Sequence, residues 1–267
     1  MKKQNLFYVL LALAVCFISC DNGNEPNPDN EGDKPTEILL RKITYEFDDR
    51  TINAEFTYDN QNRLTKYFGR APFTTNDGTE DVDFYMNFSY SEKEINVSGR
   101  HTGSFYGNYD VVLKLNNDKY IESENWTFEN YKNAWNMTYE YGTNGKLEKS
   151  FTSNNDRNRT HIFEWLNGNM IKHSCEETGQ KPWTDSFEYS TYSYAGDIDI
   201  NRFLDNITGD FPLVPYLTVF YGKPNKNLIS KSGDASFEYE ISEDNYVTKC
   251  IVSSNGEAYR TLLFEYK

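Results

Sequence analysis

Three histidines, four cysteines and four tryptophans are the side chains of this sequence best suited to chemistry. His161 alternates in phase with Phe163 and Trp165, which predicts a hydrogen-bonded histidine on the buried face of a strand. His173 aligns with Lys66, Lys149 and Lys249 of similar segments and is expected to be a solvated cation. His101, between Gly99 and Gly103, is assigned to a loop. No nucleophile elbow, phosphate loop, C-x-x-C or H-E-x-x-H pattern accompanies them. No catalytic constellation and no cofactor site follow, and the chain is expected not to be an enzyme.

The acidic residues give no firmer site. With 41 Asp and Glu, carboxylate pairs that could cleave a glycosidic bond arise by chance. Asp77, Glu80, Asp81 and Asp83 gather around Gly78 and could offer oxygens to Ca²⁺, but the spacing departs from the EF-hand register, so a solvated acidic loop is expected and no metal. Among the tryptophans, Trp135 and Trp165 lie in phase with apolar strand faces. Trp183 follows Pro182 and is expected to be exposed on a loop, where it could stack on a ligand; Trp126 is a second, weaker contact candidate.

The N-terminus sets an address. Lys2 and Lys3 precede an apolar run, Leu6 to Ile18, too short for a transmembrane helix, and Phe17-Ile18-Ser19-Cys20 has the lipobox arrangement. Residues 1–19 are therefore expected to be a lipoprotein signal peptide, with diacylglyceryl transferred to the Cys20 thiol. Residues 20–37 hold no aliphatic or aromatic side chain after Cys20 and should form a disordered acidic tether. Of the four cysteines, Cys175 and Cys250 then remain. They form either one disulfide, contributing about 4 kcal/mol, or two buried thiols in separate strands.

Residues 38–267 are expected to form a single antiparallel β domain. Aromatic residues recur two apart, as at Phe56/Tyr58, Phe84/Met86/Phe88 and Trp135/Met137/Tyr139, with Glu, Thr, Ser, Lys and Asn between them. One sheet face is thus buried and the other wet. Four stretches align, from Phe56, Tyr139, Phe163 and Tyr239. Each places Asn62, Gly145, Asn169 or Asn245 where a tight turn needs φ > 0, then restarts an apolar face at Leu64, Leu147, Ile171 or Val247. The fold expected is all-β, a large meander of repeated hairpins curling into a barrel or half-barrel. Ile200, Phe203, Leu204 and Ile207 predict one short helix over 199–208, followed by a strand around Leu217 to Tyr221.

The lipobox, the acidic tether, the hairpins and the segment from AGDIDINRFLDN to GKPNKNLISKS together resemble a family of Bacteroidetes lipoproteins catalogued as a domain of unknown function with a porin-like fold. The resemblance implies a large sheet curling toward a barrel and no established activity. A membrane-inserted porin is the weaker alternative, because Glu55, Lys66, Glu140 and Glu238 fall on the expected outer face. The formal net charge of −14, about −16 without Lys2 and Lys3, opposes a nucleic-acid partner. Two readings remain: a non-catalytic, lipid-anchored outer-membrane protein binding a glycan, peptide or small apolar ligand, or a structural component of an envelope protein complex.

Overall fold

Apolar side chains at every second position can share one face only in extended chain, and the protein uses them in strands throughout. A computed structural model describes residues 38–267 except 48–49, 76–77, 103–106, 130–133, 155–157, 194–199, 202–216 and 218–219, with backbone alone over 71–81. The strands are β1 (Leu40–Phe47), β2 (Arg50–Tyr58), β3 (Leu64–Thr75), β4 (Gly78–Tyr90), β5 (Glu94–His101), β6 (Asn108–Leu115), β7 (Ile121–Phe128) and β8 (Trp135–Tyr141). They continue as β9 (Leu147–Ser153), β10 (Asn158–Leu166), β11 (Asn169–Glu177), β12 (Trp183–Tyr189), β13 (Ile229–Ser232), β14 (Ala235–Ile241), β15 (Val247–Ser254) and β16 (Glu257–Tyr266). Each pairs antiparallel with its sequence neighbours, and β1 pairs with β16, so the meander closes into a barrel without a free edge. Next to that seam, Leu39 and Lys267 exchange two backbone hydrogen bonds of 3.1 and 2.9 Å.

The barrel's inner face is one apolar cluster that draws on strands all round the wall, including Ile43, Phe56, Val97, Leu113, Met137 and Phe264. Burying each such side chain contributes about 1.5–3 kcal/mol. The outer face carries exposed Glu55, Lys66, Glu140 and Glu238, as expected.

Turns that follow even-numbered strands share one rim, termed here the hairpin rim. Four of them are five-residue turns with a left-handed residue in fourth place: Asn62 (φ 60°), Lys119 (φ 65°), Gly145 (φ 76°) and Asn245 (φ 64°). In each, the first residue's N–H meets the fifth residue's carbonyl, as Asp59 meets Arg63 at 3.0 Å. The β10–β11 turn is shorter: Asn167 (φ 52°) and Gly168 (φ 87°) form a two-residue hairpin. Asn169 is therefore not the turn residue. Its side chain instead accepts the N–H groups of Lys226 and Asn227, at 2.9 Å each.

Just past five of these turns the odd strand holds one extra residue, seen as a register shift opposite Tyr58, Leu115, Tyr141, Trp165 and Ile241. Such bulges bend a strand and break the ladder locally. A repeated side-chain bond braces the rim. Tyr58 donates to the carbonyl of Leu40, Tyr90 to Leu64, Tyr141 to Ile121, Trp165 to Leu147, Tyr189 to Met170, Tyr239 to Ile229 and Tyr266 to Val247, all at 2.7–2.8 Å. Burial raises the hydroxyls of Tyr58, Tyr90 and Tyr266 well above the usual tyrosine range, so they remain donors.

The link between β12 and β13 turns back onto the barrel. Ile200, Asn201, Leu217, Tyr221 and Leu228 are buried, and Asn201 joins Asn227 and Ile229 at 2.9 and 2.8 Å. The helix expected over 199–208 lies outside the described residues apart from Ile200 and Asn201. No strand forms around Leu217 to Tyr221 among the described residues there; Leu217 and Tyr221 serve as buried anchors instead.

Candidate functional site

The bulges decide which polar residues enter the barrel. Counting three residues on from the first buried apolar residue of each bulged strand (Leu64, Ile121, Leu147, Met170 and Val247) gives Tyr67, Glu124, Ser150, His173 and Cys250 on the inner face. Lys66, Lys149, Lys172 and Lys249 precede four of these positions and point outward, where Lys172 meets Glu164 at 2.5 Å and Lys249 meets Glu240 at 2.8 Å. His173 is consequently not a solvated cation. The two-residue turn shortens its hairpin by one residue relative to the others, so Lys172 takes the outer position and His173 is buried.

Among the described residues Glu124 is the most enclosed acid. It accepts Trp126 Nε1 at 2.7 Å, the Tyr139 hydroxyl at 2.6 Å and the hydroxyl of Tyr221 from the β12–β13 link. Burial raises its carboxyl above the usual range, and the three hydrogen bonds act against that rise. Trp126, expected as a ligand contact, is buried in this cluster and stacked on Tyr109 at 5.5 Å, so it offers no surface. Tyr221 meets Tyr139 edge-on at 5.3 Å.

Above Glu124, Tyr139 forms part of a cleft of about 670 Å³ on the hairpin rim, between the β6–β7 and β8–β9 turns. Tyr120, Tyr141, Glu122, Asn144 and Lys223 also line it. The Tyr120 and Tyr141 rings pack at 5.1 Å. The β12–β13 link forms the remaining side. Lys223 N–H donates to the Gly145 carbonyl at 2.8 Å, and buried Lys146 reaches the carbonyls of Gly168 (3.0 Å) and Pro224 while lying 4.5 Å over the Trp165 ring. At Gly222 (φ 87°), a Cβ would sit 2.7 Å from the Gly145 carbonyl oxygen, so this contact requires glycine.

Toward the other rim, three residues singled out in the sequence meet in one cross-strand row, His161–Cys175–Trp183. The adjacent row is Phe163–His173–Asp185. His161 Nδ1 lies 2.9 Å from His173 Nε2, and Cys175 Sγ lies 3.9 Å from His161 Nε2. The donors thus face one another in pairs, and among the described residues no three His, Cys, Asp or Glu converge to hold a metal ion. Trp183 opens β12 rather than lying in a loop; it is 44% exposed and stands edge-on to His173 at 5.0 Å.

Two solved structures share this architecture. A porin-like protein from Bacteroides uniformis superposes with a TM-score of 0.59 at 18% identity, over 85% of this chain and 96% of that one. A porin-like protein from Bacteroides vulgatus gives 0.61 at 10% identity, over 86% and 99%. The fold is porin-like. No family model and no curated protein sequence matches the chain.

In this porin-like barrel the polarity is opposite to that of a lipid-facing one, which carries an apolar band outside and a polar lumen. The remaining expected sites are distributed as follows. Cys175 in β11 and Cys250 in β15 are both buried, and β12, β13 and β14 separate them in the barrel order, so the two sulfurs are not bonded to one another in this structure. Burial pushes the Cys250 thiol up to about 12. His101 ends β5 instead of occupying a loop, and packs on Phe84 and Tyr109 at 5.7 and 6.1 Å. Of the four acids considered for Ca²⁺, Asp77 and the side chains of Glu80 and Asp81 lie outside the described residues. Asp83 is engaged by Arg70 at 2.6 Å, which holds its carboxyl below the usual range. The backbone from Gly78 is strand β4 paired to β3, not a solvated loop.

Proposed function

We propose that the protein is a non-catalytic binding lipoprotein of the cell envelope, taking a glycan in the hairpin-rim cleft. The cleft carries the proposal. Its tyrosine rings supply flat apolar faces for the C–H side of a sugar, and Glu122, Asn144 and Lys223 supply hydrogen-bonding groups for hydroxyls beside them. Charged groups at that wall make a small apolar ligand a poorer fit. The test is binding of the full-length chain to an array of bacterial and host glycans. We expect at least one glycan to be retained, and Tyr120→Ala to weaken it tenfold or more. Tyr259→Ala, an exposed aromatic on β16, should leave binding unchanged. No glycan held at millimolar concentration would overturn the reading.

Anchoring is proposed through Cys20, on the lipobox and the tether that follows it. Growth with a labelled fatty acid should mark the wild type and not Cys20→Ala; label retained in the variant would end this part of the proposal. A structural role in an envelope complex draws on a different observation. Phe151, Ile162 and Leu166 are exposed on the outer face of β9 and β10. A partner there would have to dock on that face, because the closed barrel offers no edge strand.

A further inference from the structure

We propose that Cys175 is a reactive thiol, activated by the His161–His173 pair, that forms a mixed disulfide with low-molecular-weight disulfides. The geometry is that of a nucleophile, a base and a third group that orients the base. His161 sits between its two partners with one ring nitrogen toward each: Nε2 faces Cys175 Sγ at 3.9 Å and Nδ1 faces His173 Nε2 at 2.9 Å. When His161 Nδ1–H donates to His173, the lone pair on Nε2 is turned to the thiol and can take its proton. The resulting thiolate lies against an imidazolium, which stabilises it.

Phe163 stacks on His173 at 4.7 Å and Trp183 stands edge-on to both imidazoles, so the rings are held in place. Access comes from the β12 side. Cys175 is 2% exposed, but its cross-strand neighbour Trp183 and the next residue on the same face of β12, Asp185, are both exposed, so solvent reaches the wall beside it there. The charged groups around the relay are Asp185 on β12, cross-strand from His173, and the Arg159–Glu177 ion pair at 2.9 Å in the row beyond His161 and Cys175.

In the reaction the Cys175 thiolate attacks one sulfur of R–S–S–R. A new S–S bond joins Cys175 Sγ to that sulfur as the S–S bond of the small disulfide breaks, and the departing R–S⁻ takes the proton from His161. Cys175 is oxidised and half of the small disulfide is reduced. Cys250 lies across three intervening strands and cannot resolve the adduct, so it persists until an external thiol removes it.

The test is incubation of the folded full-length chain with glutathione disulfide, with adducts assigned by peptide mass spectrometry. Cys250, fully buried and without an imidazole contact, is the internal reference. We expect the Cys175 adduct to form at least tenfold faster than the Cys250 adduct, and the two to form at similar rates in denaturant. The Cys175 rate should persist at pH values more than one unit below the ordinary thiol pKa of about 8.5. His161→Gln should slow it tenfold or more and return the pH profile to that of an ordinary thiol, while Trp183→Ala, which shortens the side chain cross-strand from Cys175 and leaves the relay, should raise the rate. Equal protection of both thiols in the folded wild type, or a wild-type profile that already follows an ordinary thiol, would overturn the proposal without any variant.

Discussion

Glu124→Ala is expected to cost about 3–9 kcal/mol of stability, because three buried donors lose their acceptor at once and each orphaned group costs about 1–3 kcal/mol. Those donors lie on three parts of the chain: Trp126 on β7, Tyr139 on β8 and Tyr221 on the β12–β13 link. Urea denaturation of the wild type and variant at pH 6 measures the loss; a change under 1 kcal/mol would show that the cluster does not hold the link. The pH dependence has a definite sign. Burial raises the folded carboxyl above its unfolded value, so over the window between the two the native state binds more protons. Stability contributed by protonated Glu124 is fully present below about pH 4.5 and falls as pH rises through that window. Asp59, Asp83 and Glu265 act the other way. Their carboxyls are lowered, so what they contribute is lost only as pH falls below the ordinary carboxylate range. Glu124→Gln should therefore flatten the decline above pH 4.5 and leave the acid limb alone.

Gly222→Val should be nearly as costly for a different reason. A side chain at φ 87° costs about 1–2 kcal/mol in backbone strain, and one placed 2.7 Å from the Gly145 carbonyl oxygen and 3.0 Å from the Tyr141 ring adds about 1–3 kcal/mol of overpacking. For a domain of this size the sum corresponds to a fall in Tm of roughly 5–15 °C. The link should lift from the β8–β9 turn, and glycan binding should go with it, because Lys223 and Gly145 both line the cleft. Gly256→Val separates the two causes. Its φ is 84° but nothing lies within 4 Å of a Cβ there, so it should show the backbone cost alone. Equal Tm losses in the two variants would refute the packing argument.

Much of the barrel was legible because its repeat is strict. Period-two alternation located the strands, and Asn62, Gly145 and Asn245 adopt the left-handed conformation expected of them. Lys119 fills the same place in the β6–β7 turn, and a lysine carries no such signal. The Asn167-Gly168 dipeptide did carry one, the strongest short hairpin signal there is. Aligning Asn169 with the five-residue turns instead displaced β11 by one residue and put His173 outside, which concealed the His161–Cys175–Trp183 row. Glu124 was hidden by its chemistry: a glutamate in a strand reads as solvent-facing, although it is in phase with Trp126 and Phe128. The cleft could not be read at all, since it depends on residues 220–228 returning to turns about 60 to 80 positions earlier in the chain.

The seam between β1 and β16 has a topological consequence. Leu39 and Lys267 lie side by side, and every strand is bonded to the strands before and after it, so the connectivity is a ring with a single cut. Linking Lys267 to Leu39 and reopening the ring at the Asn255-Gly256 turn would give a circularly permuted barrel that keeps every ladder pair, the cleft and the histidine row.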